Sequence, residues 1–216
     1  MRLVRALTLL MAALAGLALA TPAAAQLGGG RSGSSTMSYM TSEESWLEVV
    51  NFGRCYATRN TEKALRLIAT DPGTKEEAAV YRELFGNPNQ NCLGRGIEGF
   101  SAPYQMMRGS IGDGLYYARI PLPPAMLRTA PERNDVMDLA GAARCYVKAN
   151  EAEASALAET RPGSRAQDAM MQSVVTNFLK CMPSGARLNY PDTLIRFRIV
   201  EALFLTGVVR EKAAGN

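Results

Sequence analysis

The stretch "GRCYATRN" at residues 53–60 returns almost letter for letter as "ARCYVKAN" at residues 143–150. Laid over each other without a gap, residues 54–79 and 144–169 agree at ten of 26 positions, where background composition would give about two. A sequence that repeats itself at a fixed spacing is typical of duplicated structural units. The matches, numbered in the first copy, are Arg54, Cys55, Tyr56, Asn60, Ala64, Leu67, Thr70, Pro72, Gly73 and Ala79.

Each copy predicts four short helices, because its apolar residues recur at helical spacing and strand patterns are nearly absent. The first helix is expected at about residues 44–58 and again at 135–149. Asn60 and Asn150 follow these helices directly and are good N-cap residues for the second helix. The predicted fold class is therefore all-α.

Helix boundaries also recur between the copies. The motifs "TDPGT" and "TRPGS" interrupt a helix with proline and glycine. A capping box follows each motif and predicts a helix start: Thr74 with Glu77, and Ser164 with Gln167. Pro103 is expected to open the fourth helix of the first copy, as Pro191 does in the second.

These signals divide the chain into five segments. We predict a signal peptide at 1–25, a Gly/Ser-rich tether at 26–44, a first repeat unit at 45–118, a proline-rich connector at 119–134 and a second repeat unit at 135–210. The connector contains four prolines, so it should not be helical. The expected architecture is a tandem duplication of a four-helix, single-disulfide unit, packed into one compact domain.

The first residues have the pattern of a secretory signal. Arg2 and Arg5 precede an apolar run at residues 6–20, and the small residues Ala23 to Ala25 follow. The mature chain is expected to begin near Gln26, and the protein to be exported to the periplasm or the extracellular space.

Composition restricts the classes of partner and of chemistry. Removal of residues 1–25 leaves 22 basic against 20 acidic residues, scattered singly, so no nucleic-acid partner is expected. The most apolar later stretch, residues 193–209, carries Arg196, Arg198 and Glu201, so no membrane span is expected after signal cleavage. The chain contains no histidine, which excludes Ser-His-Asp and Cys-His catalysis. No cofactor, metal or catalytic residue is predicted.

The four cysteines fit an exported chain with one disulfide in each unit. Each copy has one cysteine on its first helix and one just after its third. Of three possible pairings we therefore predict Cys55–Cys92 and Cys145–Cys181. Each would contribute about 4 kcal/mol to stability through chain entropy.

Arginine is the polar residue that recurs most clearly. The candidate ligand-binding residues are Arg54, Arg108, Arg144 and Arg196, because guanidinium groups suit carboxylate or phosphate. The alternative is a structural role, in which each arginine binds an internal acid or the carbonyls at a helix end. Among the acidic positions, only one matches between the two copies: Asp113 in the first corresponds to Glu201 in the second.

The sequence thus favours a non-catalytic binding or scaffolding module for a protein partner or a small anion. One alternative is a periplasmic hydrolase-type enzyme that uses acids in a cleft between the repeats. Another is a purely structural component of the cell envelope.

We predict that peptide mapping of the exported protein without reduction will find a free N-terminus at Gln26. The same digest should contain disulfide-linked peptides that join Cys55 to Cys92 and Cys145 to Cys181. Mass spectrometry makes both measurements on one sample. Linkage between the two units, or free thiols, would show that the repeat boundaries or the compartment are wrong.

Overall fold

A computed structural model describes residues 43–85, 92, 103–136 and 138–210. All regular secondary structure within these ranges is helical, which confirms the predicted all-α class. The predicted signal peptide lies outside the described residues, as does the tether up to the start of the first helix. The α-helices are α1 Glu43–Arg59, α2 Thr61–Ala69, α3 Lys75–Phe85, α4 Tyr104–Tyr117, α5 Leu139–Ala149, α6 Glu151–Glu159, α7 Arg165–Leu179 and α8 Asp192–Leu205.

Both predicted capping boxes are present. The Thr74 hydroxyl accepts a hydrogen bond from the Glu77 backbone N–H at 3.1 Å, and the Glu77 carboxylate accepts one from Gly73 at 2.7 Å. Ser164 and Gln167 form the equivalent pair of bonds at the start of α7. These bonds satisfy backbone donors that a helix leaves unpaired at its N-terminus.

Asn60 and Asn150 occupy the N-cap positions predicted for α2 and α6, but without the capping side-chain bond. Each is the only residue between two helices, and its backbone N–H still bonds the helix before it. The Asn150 amide donates backwards to the Tyr146 carbonyl at 3.2 Å. Helix α5 also starts later than predicted, at Leu139, where the Asp138 carboxylate accepts a backbone N–H at 2.6 Å.

Helices α4 and α8 form the centre of the fold. Nearly every residue of both is buried, and the two pack against each other. In the first half of the chain, α1 and α2 pack on α4, and in the second half α5 and α6 pack on α8. We use "first half" for α1–α4 and "second half" for α5–α8.

Glycines let α4 approach its neighbours closely. A Cβ atom on Gly53 of α1 would lie 2.1 Å from the Ser110 carbonyl oxygen on α4. A Cβ atom on Gly109 would lie 2.5 Å from the Phe197 Cβ on α8. Any side chain at either position would separate the helices, so the centre of the fold depends on residues without one.

The two disulfides are Cys55–Cys92 and Cys145–Cys181, with Cα atoms 5.6 Å and 5.8 Å apart. They are the pairings expected from the sequence. One cysteine of each pair lies on the first helix of its half. The other lies beyond the third helix, so each bond closes a loop within one half.

Tyr56 and Tyr146 follow these cysteines in the chain and are buried. Tyr56 packs on Phe85 with ring centroids 5.1 Å apart, and Tyr146 packs on Phe178 at 5.9 Å. Aromatic packing of this kind holds the first and third helices of each half together.

The proline-rich connector lies along the body of the protein. It contains a 3₁₀ turn at Pro124–Met126, in which Met126 is buried. Its Arg128 backbone N–H donates to the Leu205 carbonyl at the end of α8, at 2.8 Å. None of the helices in the described part of the chain is long and apolar enough to cross a membrane.

Candidate functional site

Arg108 on α4 is fully buried and all its polar groups are used inside the protein. Its Nε donates to the Glu201 carboxylate at 2.8 Å, and its Nη1 donates to Glu77 at 2.9 Å. The two Nη groups also donate to the carbonyls of Leu67, Ile68 and Thr70 at the end of α2. Carbonyls at the end of a helix lack the partners that the helix interior supplies, so Arg108 binds the end of α2 and pairs with two acids at once.

Electrostatics explain why this arginine keeps its charge. Burial by itself would lower the pKa of Arg108, but the charges and hydrogen bonds of Glu201 and Glu77 outweigh burial and raise that pKa. Burial likewise opposes the charge of Glu201, yet Arg108 and Arg198 lower the pKa of that carboxyl below its usual value. The buried groups are therefore held in their charged forms.

Arg196 on α8 makes the corresponding contacts in the second half. Its Nη1 donates to Asp113 of α4 at 2.9 Å, and its Nη2 donates to the Ala158 and Thr160 carbonyls at the end of α6, both at 3.2 Å. The acid beside it is missing, because the neutral Gln167 stands where the first half has Glu77. Its buried Nε has no hydrogen-bond partner among the described residues.

The ion pairs between α4 and α8 are reciprocal. Arg108 of α4 binds Glu201 of α8, and Arg196 of α8 binds Asp113 of α4. The two arginines are 88 residues apart in the chain, as are the two acids. A contact made twice with exchanged partners is the pattern of a two-fold symmetric interface.

The remaining two candidate arginines differ in their surroundings. Arg54 on α1 donates through Nε to the second oxygen of Asp113 at 2.9 Å, and its side chain stays 28% exposed. Arg144 occupies the equivalent position on α5 and is half-buried. Its Nε is buried without a hydrogen-bond partner in the described part of the chain. Of the four candidates, Arg108 and Arg196 are used internally, and Arg54 reaches an exposed cluster.

That cluster surrounds Tyr117, at the end of α4. The Arg54 guanidinium carbon lies 3.7 Å from the centre of the Tyr117 ring, and that of Arg210 lies 4.2 Å from it. Both guanidiniums are therefore within cation–π distance of the same ring. Tyr117 is nevertheless 43% exposed. Cation–π contacts of this kind contribute about 0.5–1 kcal/mol each at exposed sites.

Arg210 is fixed from the other side by Glu159. Its Nε and Nη2 bind the two carboxylate oxygens at 2.5 Å and 2.6 Å. The hydrogen bonds from Arg210 lower the pKa of Glu159, and the same bonds raise the pKa of Arg210. Arg119 joins the cluster through a hydrogen bond from its Nε to the Arg210 carbonyl, at 3.2 Å.

We call these five residues the arginine–tyrosine cluster: Arg54, Tyr117, Glu159, Arg119 and Arg210. Three belong to the first half and its connector, and two to the second half and the segment after it. The cluster contains three guanidiniums and one carboxylate, so it has an excess of positive charge. Arg210 binds Glu159 directly, whereas Arg119 and Arg54 act on it through their charges. The sequence indicated only Arg54, because the other four residues do not recur between the copies.

Arg119 has a strained backbone. Its φ angle is +54°, in the left-handed region that favours glycine. It ends α4 with a bond from the Ile120 N–H to the Leu115 carbonyl, and Gly207 ends α8 with the equivalent bond from Val208. An arginine in this conformation costs about 1 kcal/mol relative to glycine.

Searches of protein-family models, curated proteins and solved structures find no match to this chain. Within the described residues, no three His, Cys, Asp or Glu side chains come together as a group that could hold a metal ion. The interpretation of the cluster therefore depends on its own geometry.

The geometry predicts that Arg108→Ala combined with Arg196→Ala unfolds the protein. Removal of one member of a buried ion pair costs about 3–5 kcal/mol, and a domain has only about 5–15 kcal/mol in total. Circular dichroism at 25 °C and a thermal melt make the measurement. The control is the double variant Arg165→Ala and Arg187→Ala, at exposed sites, which should melt close to wild type. A folded double variant of the buried arginines would show that their ion pairs do not hold the fold.

Proposed function

We propose that the protein is an exported, non-catalytic binding module whose ligand is anionic, either a protein partner or a small anion. The ligand would bind at the arginine–tyrosine cluster. The observation that carries this proposal is that three arginines meet one exposed carboxylate and one exposed ring: Arg210 binds Glu159, Arg54 lies over Tyr117, and Arg119 bonds the Arg210 carbonyl. Guanidinium groups held in place by Tyr117 and Glu159 lose little freedom when an anion arrives.

Export is supported by two independent features. Residues 1–25 have the basic, apolar and small-residue order of a cleaved signal. All four cysteines form disulfides, which persist in oxidising compartments such as the periplasm and the cell exterior.

We also propose that the two halves are duplicates that associate as subunits of a symmetric dimer would. The reciprocal pairs Arg108–Glu201 and Arg196–Asp113 support this, as do the two disulfides and the two capping boxes in equivalent places. We expect related sequences to keep these charge pairs together, with substitutions coupled across the two halves. Independent variation of the matched positions in an alignment would contradict the duplication.

Binding is favoured over hydrolysis by the state of the recurring acids. Glu201 is held between Arg108 and Arg198, and Asp113 between Arg54 and Arg196. Glu201 is a poor proton acceptor, because an added proton would cost it both ion pairs, and Arg108 and Arg198 lower its pKa. The anion-binding proposal instead uses groups that reach the surface.

The test measures binding of citrate, pyrophosphate and octaglutamate to the whole mature protein by calorimetry at low salt. We expect wild type to bind at least one of the three anions. Arg119→Gln combined with Arg210→Gln should weaken this binding at least tenfold, because two charge-assisted contacts are lost.

The matched control carries Arg165→Gln and Arg187→Gln, which remove the same charge at exposed residues that do not belong to the cluster. It should bind like wild type. If both double variants bind the anions equally, the change in binding follows from the net charge of the protein, and the proposed site is refuted. Failure of wild type to bind any of the three anions would refute the proposal itself.

A further inference from the structure

The arginine–tyrosine cluster adjoins most of the large apolar side chains that the described residues expose. Tyr117 is 43% exposed, Leu127 54% and Val209 77%. Leu127 of the connector lies against Gly207, two residues before Val209. Arg210 in turn stacks on Tyr117 and donates to its carbonyl at 3.3 Å. Segments from α4, the connector and the chain after α8 thus meet on one surface.

Guanidinium groups border these apolar side chains. Arg54 and Arg210 lie on the ring of Tyr117, and Arg119 is hydrogen-bonded to the Arg210 carbonyl. Arg128 follows Leu127 in the chain and binds the Ala69 carbonyl at 2.9 Å. We call Tyr117, Leu127 and Val209, together with these four arginines, the mixed surface. A small anion would bind the guanidiniums of the mixed surface but would leave the apolar side chains of that surface exposed.

The backbone of Arg119 is a second, independent observation. The equivalent end of α8 has Gly207, which adopts a positive φ at no steric cost, whereas Arg119 adopts it against the preference of its side chain. Strained residues of this kind cluster at binding and active sites, where the side chain is needed. At this position the side chain lies on the mixed surface.

We propose that the mixed surface docks an acidic segment of a partner protein in which carboxylate and apolar side chains are interspersed. This inference rests on the proposed function and names its ligand class. Carboxylates of the segment would bind the guanidiniums, and its apolar side chains would cover Leu127, Val209 and the exposed part of Tyr117. Charge complementarity selects an acidic partner.

A protein segment fits this surface better than an anionic membrane does. Arg210 is held by both oxygens of Glu159, and Arg54 is held by Asp113, so their donors have fixed directions. N–H groups with fixed directions suit discrete carboxylates, whereas a lipid surface needs only a diffuse positive charge.

The experiment measures binding of two fluorescent peptides to the full mature protein at low salt. One is octaglutamate, and the other is an octapeptide of alternating glutamate and leucine. We expect the alternating peptide to bind about tenfold more tightly. Leu127→Ser with Val209→Ser should remove this difference and leave octaglutamate binding unchanged. The control, Leu179→Ser, changes an exposed leucine at the end of α7 and should have no effect.

Arg119→Gly separates binding from stability. The thermal midpoint should stay level or rise, because glycine relieves the strained backbone, while both peptides bind about tenfold more weakly. Arg187→Gly is the charge-matched control in an exposed loop. A lowered midpoint with unchanged peptide binding would make Arg119 a purely structural residue and overturn its part in the proposal.

Two outcomes overturn the docking proposal while anion binding survives. One is equal affinity for octaglutamate and the alternating peptide. The other is capture of the protein by phosphatidylglycerol vesicles with no preference for the alternating peptide, which would make the surface a membrane contact. Failure of both peptides and of citrate and pyrophosphate to bind would refute the proposed function as well.

Discussion

The two buried ion pairs between α4 and α8 are the constraint on which the rest of the structure depends. Arg108 and Arg196 each extend from a central helix to an acid on the other central helix and to the carbonyls that end a neighbouring helix. Each of these arginines therefore holds the interface between the halves and also fixes one neighbouring helix. Arg108 fixes α2, and Arg196 fixes α6. A buried charge without its partners would cost several kcal/mol, so helices, carbonyls and acids must keep their places together.

This arrangement also explains why the centre of the fold tolerates so much polarity. Among the described residues, the buried charged side chains are three arginines and three acids, which balance. Small residues such as Gly53 and Gly109 bring the helices close enough for the ion pairs to form. Each disulfide joins the first helix of a half to the segment after its third helix, which suits halves too small to bury a large core of their own.

The proposed binding surface lies where the two halves differ. Tyr117 takes the place of Leu205, and Arg119 takes the place of Gly207. Because of these differences, the end of α4 carries a cationic and partly aromatic surface that the end of α8 lacks. Arg210, in the segment after α8, packs on Tyr117 in this surface. If the halves are duplicates, as we propose, their shared core accounts for stability, while the proposed ligand-binding side chains lie where the halves differ.

The sequence alone determined the helical class, the capping boxes and the cysteine pairing, because these depend on local spacing and on a recurring pattern. It also offered, as the alternative to ligand binding, a structural role in which each arginine binds an internal acid or the carbonyls at a helix end, and Arg108 and Arg196 have that role. Only the tertiary structure decided that their partners are exchanged between α4 and α8, and that Arg54 leads to an exposed cluster with Arg210. Such contacts join residues far apart in the chain, and which acid an arginine reaches depends on how closely the helices pack, a distance that no local pattern encodes.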